Sequence, residues 1–594
     1  MSTPTARSSR FGILLAWPDA LALLALAIVL AYRHTLDVPF TLDDFSSIQE
    51  NALIYRWQGF GALMRFAPLR VLVYATFALN YRLGHFDPAG YHLVNLAIHF
   101  LAGAAVYAFA RGLMRTPRLA GALSPTATLA LPLVAALLFV IHPLQTQAVT
   151  YIVQRLASMM AMFYIAALAC YLQARLAGST RARVAWGTAC AVLFLLALFS
   201  KENAATFPLA VLLIEATLFE HDRRSRLRVA GAAAGGLVVV WVIAALAFGG
   251  NPLSPGSLSA LTSQSATIPR SAYLATQMPI LWTYLRLFVW PAGLHLDYPS
   301  SPLRTFAEPR VWLALGGHVV LIALAVRAGK RRPLIPFAVL FVYLAHGIES
   351  SVIPIPELAF EHRTYLPNLG LCLLGAWVLV GELPRLRGGA PIAPPLILAL
   401  LVLLGVATWR RNQVWRDPVA FWLDNVDRAP GKARAWGSLG KAMIEANRLE
   451  EGEKALRESV RLQQENTGEV DPLDIVNLAM ALQRLQRDDE ALALIDRALA
   501  QPSEDLARAM LHLNRGNIEF EQRRFVEAEH SYREALRLRP NSLPAEANLA
   551  STLAQTGHFT EAESLYADVL RADPSDTGTA ENLARVRAMQ SRRR

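Results

Sequence analysis

The sequence predicts an all-α protein in two parts, a polytopic bundle of membrane helices followed by an α-solenoid of helical hairpins. Three observations lead to this prediction. Hydrophobic residues make up 54% of the 594 residues and charged residues only 17%, whereas soluble domains carry roughly a quarter charged residues. Apolar runs long enough to cross a bilayer recur through residues 1–410. Beyond residue 432 the apolar residues recur at helical spacing and the sequence repeats itself.

About eleven segments are apolar enough to cross the membrane, since a span needs about 20 mostly apolar residues and fewer inside a bundle. They are residues 17–33, 91–113, 126–142, 158–175, 184–200, 203–219, 229–248, 310–327, 333–348, 365–382 and 393–409. A further apolar stretch, 275–291, carries Trp282, Tyr284 and Trp290. Aromatic side chains of this kind anchor segments at the membrane interface. We therefore expect 275–291 to be interfacial or re-entrant.

Arginine and lysine residues fix the predicted orientation, because short loops rich in them stay in the cytoplasm. Such residues cluster in loops at Arg7/Arg10, 111–118, 175–183, 223–228, 327–332 and 385–387. All six loops lie on the cytoplasmic side if 275–291 does not cross. The N-terminus is then cytoplasmic and held by an uncleaved signal anchor. Residues after 410 lie on the other side.

The same clustering explains the net charge of +11 without a nucleic-acid partner. Cys170, Cys190 and Cys372 lie in apolar runs without metal-binding spacing, which argues against a disulfide framework. The sequence contains no P-loop, HExxH, CxxC pair or Gly-rich dinucleotide fingerprint. A soluble nucleotide cofactor is therefore unsupported.

The predicted topology collects polar side chains at the non-cytoplasmic ends of the spans. Charges there are costly unless they meet one another or a polar ligand. The run 41–45 follows the first span and contains Asp43 and Asp44. Asp43 can serve merely to cap free N–H groups of a short helix. Asp44 has the same structural interpretation, but a partly desolvated carboxylate can also act as a general base toward a hydroxyl.

Two further clusters have both a structural and a functional interpretation. His142 ends a span before a proline, and Gln147 and Arg155 follow it. These residues form either the entry to the next helix or a set of groups that hold sugar hydroxyls or a phosphate. Lys201 and Glu202 lie between two spans. They form either an interfacial ion pair or a site where Lys201 neutralises an anionic ligand.

The last cluster flanks a loop before a predicted span. It contains Glu349, Glu361, His362, Arg363 and Tyr365. Arginine side chains often snorkel at a bilayer edge, which is the structural interpretation. The density of charged residues favours a functional interpretation over the structural one, because the planar guanidinium of an arginine suits a phosphate.

The C-terminal region has a repeat of 34 residues, the tetratricopeptide period. The members of one copy recur in the next, with Ala528, Tyr532, Ala535 and Pro540 matched by Ala562, Tyr566, Val569 and Pro574. We predict a membrane module over 1–410, a linker over 411–431 and a repeat domain over 432–594 of about four hairpins, closed by a capping helix near 577–590. Its concave face is either a peptide groove or a dimer contact.

Six strings, taken together and in order, resemble one family. They are DDF after the first span, HPLQTQAVTYIVQR, SKEN, WPAGLHLDY, ELAFEHRTYLPNLG and the RNQVW that leads to the repeats. The family is the transmembrane and tetratricopeptide-repeat protein O-mannosyltransferases with their bacterial relatives, in the C-type glycosyltransferase superfamily. The resemblance covers nearly the whole chain.

The resemblance implies transfer of a mannose or similar hexose, with inversion, from a polyprenyl-phosphate donor to Ser or Thr of exported proteins. It implies a multi-pass protein, which we expect in a bacterial inner membrane with periplasmic repeats that bind the protein acceptor. The lipid-linked sugar is a co-substrate and no cofactor is expected, although a divalent metal ion stays open. Transfer to a glycan or lipid acceptor is the alternative within this chemistry. A non-catalytic membrane scaffold is the alternative of another class.

The resemblance also assigns roles to residues. The family's acidic pair maps onto Asp43 and Asp44, and we expect Asp44 to be the base. Gln147 stands where eukaryotic members tend to have a glutamate, so the resemblance assigns no second acid at this position. The residues expected to bind the donor phosphate are Arg363, His362, Lys201 and Arg155. Those expected to bind substrate are His142, Gln147, Glu202, Glu349, Glu361 and Tyr365.

Overall fold

The computed structural model describes residues 17–220, 222–250, 268–298, 303, 305–351, 354–355, 357–466, 468–501, 504–572 and 576–593. These residues form helices and loops, with no β-strand among them, so the all-α prediction is confirmed. The chain divides into two compact units, Met1–Asp417 and Pro418–Arg594. Arg7 and Arg10 of the predicted signal anchor lie outside the described residues.

The first unit is built from helices that are mostly apolar. Its longer helices are α1 (Trp17–Tyr32), α2 (Val71–Gly84), α3 (Pro88–Leu113), α4 (Pro125–Ile141), α5 (Arg155–Leu176), α6 (Thr180–Leu198), α7 (Phe207–Leu218), α8 (Arg223–Phe248), α9 (Arg270–Val289), α10 (Pro309–Ala328), α11 (Leu334–His346), α12 (Asn368–Trp377) and α13 (Gly389–Arg416). Several present apolar surface to their surroundings. Only 6% of the most apolar part of α8 is buried in protein, as expected for a helix that faces lipid.

Among the described residues, six helices are long and apolar enough to cross a membrane, or eight if each of two bent pairs is one span. The predicted count of about eleven is therefore not confirmed. The difference arises where helices are short: α7 has 12 residues, and α12 has 10 before a π-helical turn at Val378–Glu382. Residues 60–84, which lie outside the eleven predicted spans, form two helices bent by 116°.

Three of the predicted basic loops, 111–118, 327–332 and 385–387, meet at one end of the first unit. Arg118 donates a hydrogen bond to the Gly329 carbonyl at 3.2 Å, and Arg385 donates to the Ala122 carbonyl at 2.8 Å. Helix α4 leads from this end to the polar clusters. For these three loops, the predicted separation from the polar clusters is therefore present in the fold. The side of the membrane that each end faces stays a prediction.

Both ends of helix α9 lie at the polar end of the first unit. Near its start, the Tyr273 hydroxyl donates to the Glu349 carbonyl at 2.5 Å. Near its end, the Phe288 carbonyl bonds His142 Nε2 at 2.9 Å. Both contacts are with the predicted polar clusters and neither is with the basic loops. This placement supports the prediction that 275–291 does not cross the membrane.

The second unit consists of paired helices. They are α14 (Pro418–Arg428), α15 (Ala433–Glu445), α16 (Leu449–Asn466), α17 (Pro472–Arg484), α18 (Asp488–Leu499), α19 (Asp505–Glu521), α20 (Phe525–Leu538), α21 (Leu543–Thr556), α22 (Phe559–Ala572) and α23 (Thr577–Arg593). Helices α15 to α22 form the predicted hairpins, and α23 is the predicted capping helix. The predicted linker contains the end of α13 and all of α14.

The 34-residue period is visible in the contacts between helices. The Tyr532 hydroxyl bonds Asn517 Oδ1 at 2.9 Å, and the Tyr566 hydroxyl bonds Ser551 Oγ at 2.8 Å, with both residues offset by 34. A Cβ on Gly516 would lie 2.7 Å from the Tyr532 ring, so only glycine allows this close packing. Pro574 lies outside the described residues.

Candidate active site

The segment between α4 and α5, residues 142–154, joins the predicted polar clusters. The Val153 N–H donates to Asp44 Oδ1 at 2.7 Å, which ties the segment to the loop after α1. Gln147 Oε1 accepts the His362 N–H at 2.7 Å, which ties it to the loop before α12. Residues that are distant in sequence therefore converge at one end of the bundle, as the charge-based topology predicts.

Asp44 is almost completely buried, with 1% of its surface exposed. Besides Val153, it accepts the Thr41 N–H through Oδ2 at 3.0 Å, so both carboxylate oxygens are bonded to backbone. Burial, opposed in part by these hydrogen bonds, raises the pKa of Asp44 to about 8. The side chain closes its own loop and fastens that loop to the segment before α5.

Asp43 lies in a different environment from its neighbour, because its side chain is exposed. Its backbone N–H donates to the Tyr151 hydroxyl at 2.9 Å, and that hydroxyl also hydrogen-bonds the Asp43 carboxylate. Leu42 has a φ of +50°, the left-handed region that a residue with a side chain rarely adopts. The strained turn and Tyr151 together hold Asp43 toward the open side of the loop.

Arg155 is the best-satisfied cation of the site and is fully buried. Its guanidinium donates to Asn95 Oδ1 at 2.6 Å, Asn80 Oδ1 at 2.8 Å, Thr76 Oγ1 at 2.9 Å and the Tyr91 carbonyl at 2.8 Å. These partners come from α2 and α3, so Arg155 fastens both helices to the start of α5. Its predicted role at the donor phosphate stays a prediction.

His142 and Tyr365 are likewise engaged with protein. His142 Nδ1 accepts the Leu144 N–H at 3.2 Å, and its ring stacks on Phe288 with centres 4.6 Å apart. The Tyr365 hydroxyl bonds His99 Nδ1 at 2.7 Å inside the bundle. Both side chains hold helices together in this structure, and their predicted contacts with substrate stay predictions.

Several polar atoms in and around the 142–154 segment are buried without a hydrogen-bond partner in the protein. They include Gln145 Nε2, Thr146 Oγ1, Gln147 Nε2, His362 Nδ1 and Ser350 Oγ. Buried polar groups are nearly always hydrogen-bonded, and those that are not need a ligand, a water molecule or another explanation. Burial and the nearby cation Lys201 hold the pKa of His362 well below its usual range, so its ring is neutral. A neutral ring and two amides are suitable partners for sugar hydroxyls.

Two cations and one carboxylate lie beside this group. Lys201 Nζ contacts Glu349 Oε1 at 2.6 Å, and both side chains are 8% exposed. Arg363 Nη1 donates to the Tyr273 hydroxyl at 3.3 Å. Although burial alone would raise the pKa of Glu349, the charges of Lys201 and Arg363 hold it well below its usual range. The three side chains therefore carry a net charge of one positive unit.

The two remaining predicted residues, Glu202 and Glu361, have partners that the sequence did not reveal. Arg70 binds Glu202 through two hydrogen bonds of 2.6 and 3.2 Å, in a pair that is partly exposed. Glu361 Oε1 accepts the Tyr298 hydroxyl at 2.8 Å and is buried. Glu202 therefore fastens α2 to the start of α7, and Glu361 fastens the loop before α12 to the loop after α9.

Sequence reasoning missed several side chains of the site. Tyr151, Tyr273 and Tyr298 each position a predicted residue, and Asn80 and Asn95 bind Arg155. Tyr151 and Tyr298 lie inside the strings that carry the family resemblance, so those strings could have nominated them. No local pattern marks Asn80 or Asn95. Among the described residues, no group of three or more His, Cys, Asp or Glu side chains is placed to hold a metal ion.

Fold and site together define a class: a polytopic membrane protein with a polar site at one end of its bundle and a tetratricopeptide-repeat domain. A family model for the tetratricopeptide repeat matches residues 519–585. A solved tetratricopeptide-repeat protein from Thermus thermophilus, TTC0263, aligns at 18% identity with 31% of this chain and 94% of its own length. The TM-score of this alignment is 0.24, which is too low to support a fold assignment.

Curated relatives cover most of the chain. The protein O-mannosyl-transferase Tmtc3 of Drosophila melanogaster is 24% identical over 89% of this chain and 65% of its own length. The protein O-mannosyl-transferase F38B6.6 of Caenorhabditis elegans is 23% identical over 75% of this chain and 62% of its own. Over most of its length the chain is therefore similar to protein O-mannosyl-transferases that carry tetratricopeptide repeats. It spans just under two thirds of the length of these relatives.

Proposed function

We propose that the protein is a membrane glycosyltransferase that moves mannose or a similar hexose from a polyprenyl-phosphate donor to Ser or Thr hydroxyls of proteins. Transfer takes place on the non-cytoplasmic face, which is the periplasmic face if the membrane is a bacterial inner membrane. The names of the relatives support the activity. The observation that carries the proposal is the group of buried, unpartnered polar atoms at Gln147 and His362, beside the cations Lys201 and Arg363.

The proposed reaction needs few protein groups. The acceptor hydroxyl oxygen forms a bond to the anomeric carbon, and the bond from that carbon to the phosphate oxygen breaks. The phosphate leaves with the electron pair and needs no proton, whereas the hydroxyl proton passes to a carboxylate. Attack opposite to the leaving phosphate inverts the anomeric carbon. The protein must therefore supply a base and positive charge.

The charge balance supports a role for Lys201 and Arg363. A sugar phosphodiester carries one negative charge, and the released polyprenyl phosphate approaches two near neutral pH. With Glu349, the two cations have a net charge of one positive unit, which is the extra charge that develops on the departing phosphate. Preorganised charge at the point where charge develops is the most effective electrostatic contribution to catalysis.

The environments of the two carboxylates suggest how they divide their work. Both oxygens of Asp44 are bonded to backbone and buried, so an acceptor hydroxyl reaches neither without breaking the loop. Asp43 is exposed. We therefore propose Asp43 as the base and Asp44 as the residue that positions it, which exchanges the roles expected from the sequence.

The repeat domain offers a surface for the acceptor. Asn514, Asn548 and Asn582 recur at the 34-residue period on α19, α21 and α23, and none is buried in the helix packing. An amide both donates and accepts hydrogen bonds, as a peptide backbone does. These three side chains support a repeat domain that binds an extended acceptor segment.

The pH dependence of transfer tests both the activity and the identity of the base. Mannosyl-phosphoryl-polyprenol and a Ser/Thr-rich peptide are supplied to the protein in liposomes between pH 5 and pH 9. We expect mannosyl peptide, and no rise in rate as pH passes through 8. A rise near pH 8 that the Asp44→Asn variant loses would assign the base to Asp44. No mannosyl peptide at any pH would contradict the activity.

Protein stability should show the titration of Asp44 itself. In the folded protein its pKa of about 8 lies above the value of about 4 expected in an unfolded chain. Its contribution to stability is therefore present below pH 4 and is lost as pH rises from about 4 to about 8. The melting temperature of the wild type should fall over this window more steeply than that of Asp44→Asn.

A further inference from the structure

An apolar groove runs along the surface of the first unit between α1, α4 and α13. Its walls include Leu26, Leu30, Leu137, Leu401, Gly405 and Trp409, and its volume is about 370 Å³. Binding sites for small molecules typically occupy about 300–1,000 Å³ and are mostly apolar. The groove is therefore large enough for part of a hydrocarbon chain.

One end of the groove carries cationic and aromatic groups. The guanidinium of Arg33 lies 5.9 Å from the centre of the Trp409 ring, and the His34 ring centre lies 6.1 Å from it. Arg33 Nε also donates to His34 Nε2 at 3.1 Å. Arg33 is exposed, so its charge is available to an anionic group at this end. An amphiphile with a hydrocarbon tail and an anionic head matches this arrangement.

The cationic end of the groove leads toward the candidate active site. Beyond Trp409 on α13, Asn412 Nδ2 donates to the Ala31 carbonyl at 3.0 Å, and its Oδ1 accepts the Thr150 hydroxyl at 2.7 Å. Trp415 follows, with its ring centre 6.1 Å from that of Tyr151, which bonds Asp43. Six residues of helix separate the two tryptophans, which is about 9 Å along the axis.

Gly405 gives the groove its depth at mid-length. A Cβ at this position would have no atom within 4 Å, so helix packing does not require glycine there. Glycine weakens a helix relative to alanine, and a larger residue would project into the groove. The position therefore offers a way to fill the groove without moving the backbone.

We propose that this groove is a lateral holding site for the prenyl chain of polyprenyl phosphate, with the phosphate at Arg33 and His34. This inference rests on the proposed function. Lys201 and Arg363 are buried, so a lipid in the bilayer does not meet them directly. The groove gives the carrier a place beside the site before it enters or after it leaves. An ordinary phospholipid also has a phosphate and acyl chains, so competition by polyprenyl phosphate against the excess phospholipid of the bilayer distinguishes the two.

The test uses farnesyl phosphate with a photoreactive group at its last isoprene unit, added to the full-length protein in liposomes. Labelled peptides are mapped by mass spectrometry. We expect label on α1 and α13, competition by unlabelled polyprenyl phosphate, and weak label with photoreactive farnesol. Gly405→Phe should lose the label. Gly187→Phe on α6 is the matched control, because a Cβ at Gly187 also has no atom within 4 Å.

The Arg33→Gln variant tests the cationic end independently, because this substitution removes a charge without filling the groove. One cation near a membrane phosphate changes affinity about fivefold, so the preference for farnesyl phosphate over farnesol should fall by about that factor. Equal labelling by phosphate and alcohol, or undiminished labelling of Gly405→Phe, would overturn the proposal. Sugar transfer is measured in the same liposomes. Transfer without groove labelling refutes the holding site alone, and groove labelling without transfer refutes the proposed function alone.

Discussion

Replacing Asp43 with asparagine is expected to abolish sugar transfer and to leave the protein folded. The side chain is exposed, and its backbone bond to Tyr151 does not depend on the carboxylate. Loss of a general base typically lowers a rate by about 10²–10⁴-fold. Transfer to a peptide in liposomes should fall by at least about 100-fold, with an unchanged melting temperature.

Two neighbouring carboxylates provide controls for that experiment. Asp37 is exposed in the same loop and pairs with Arg416 at 3.1 Å, so Asp37→Asn tests the removal of a nearby surface charge. It should leave transfer unchanged. In Asp44→Asn the new amide group faces the Thr41 N–H, which loses its acceptor at a cost of about 1–3 kcal/mol. We expect a less stable protein whose transfer rate falls far less than that of Asp43→Asn, because the base is still present. The reverse order, with Asp43→Asn active and Asp44→Asn inactive, would refute our division of roles.

The second large effect is expected at the buried ion pair of Lys201 and Glu349. Lys201→Met leaves the Glu349 carboxylate buried without its partner, which typically costs about 3–5 kcal/mol. The double variant Lys201→Met/Glu349→Leu removes both charges and should recover most of the stability. Denaturant unfolding in detergent micelles measures these differences. Transfer should stay low in both variants, because the cation proposed to balance the departing phosphate is absent.

Arg70 and Glu202 form the matched control pair. Their side chains are 43% and 35% exposed, so solvent screens the charges. Exposed ion pairs contribute about 0–1 kcal/mol, and Arg70→Gln should change stability by no more than that. If Lys201→Met/Glu349→Leu is as unstable as Lys201→Met alone, the buried pair acts through packing and not through charge. Normal transfer by Lys201→Met/Glu349→Leu would remove Lys201 from the proposed mechanism.

Sequence patterns that repeat along the chain were sufficient to predict much of the fold. The 34-residue period predicts the hairpins and the buried positions of Tyr532 and Tyr566, because packing requires the same residue types in each copy. The charge pattern separates the basic loops from the polar clusters and correctly groups Arg118 with Arg385. It does not establish how many helices are long enough to span.

Such patterns could not predict the environments of individual site residues, because these environments depend on partners that are distant in sequence. Asp43 and Asp44 are adjacent and chemically identical. Asp44 is buried, and the Val153 N–H, 109 residues away, bonds its carboxylate. Arg155 looked available for a phosphate, but Asn80 and Asn95 bind its guanidinium. Only the three-dimensional fold distinguishes these cases.

The most direct test of the central claim is the intact mass of exported proteins in the source organism. A strain without this gene is compared with strains that carry the wild-type gene or the Asp43→Asn variant. We predict that exported proteins gain whole hexose units only with the wild-type gene, and that membrane levels of both proteins are equal. Identical masses in all three strains would contradict the account. So would full hexose addition by the Asp43→Asn variant.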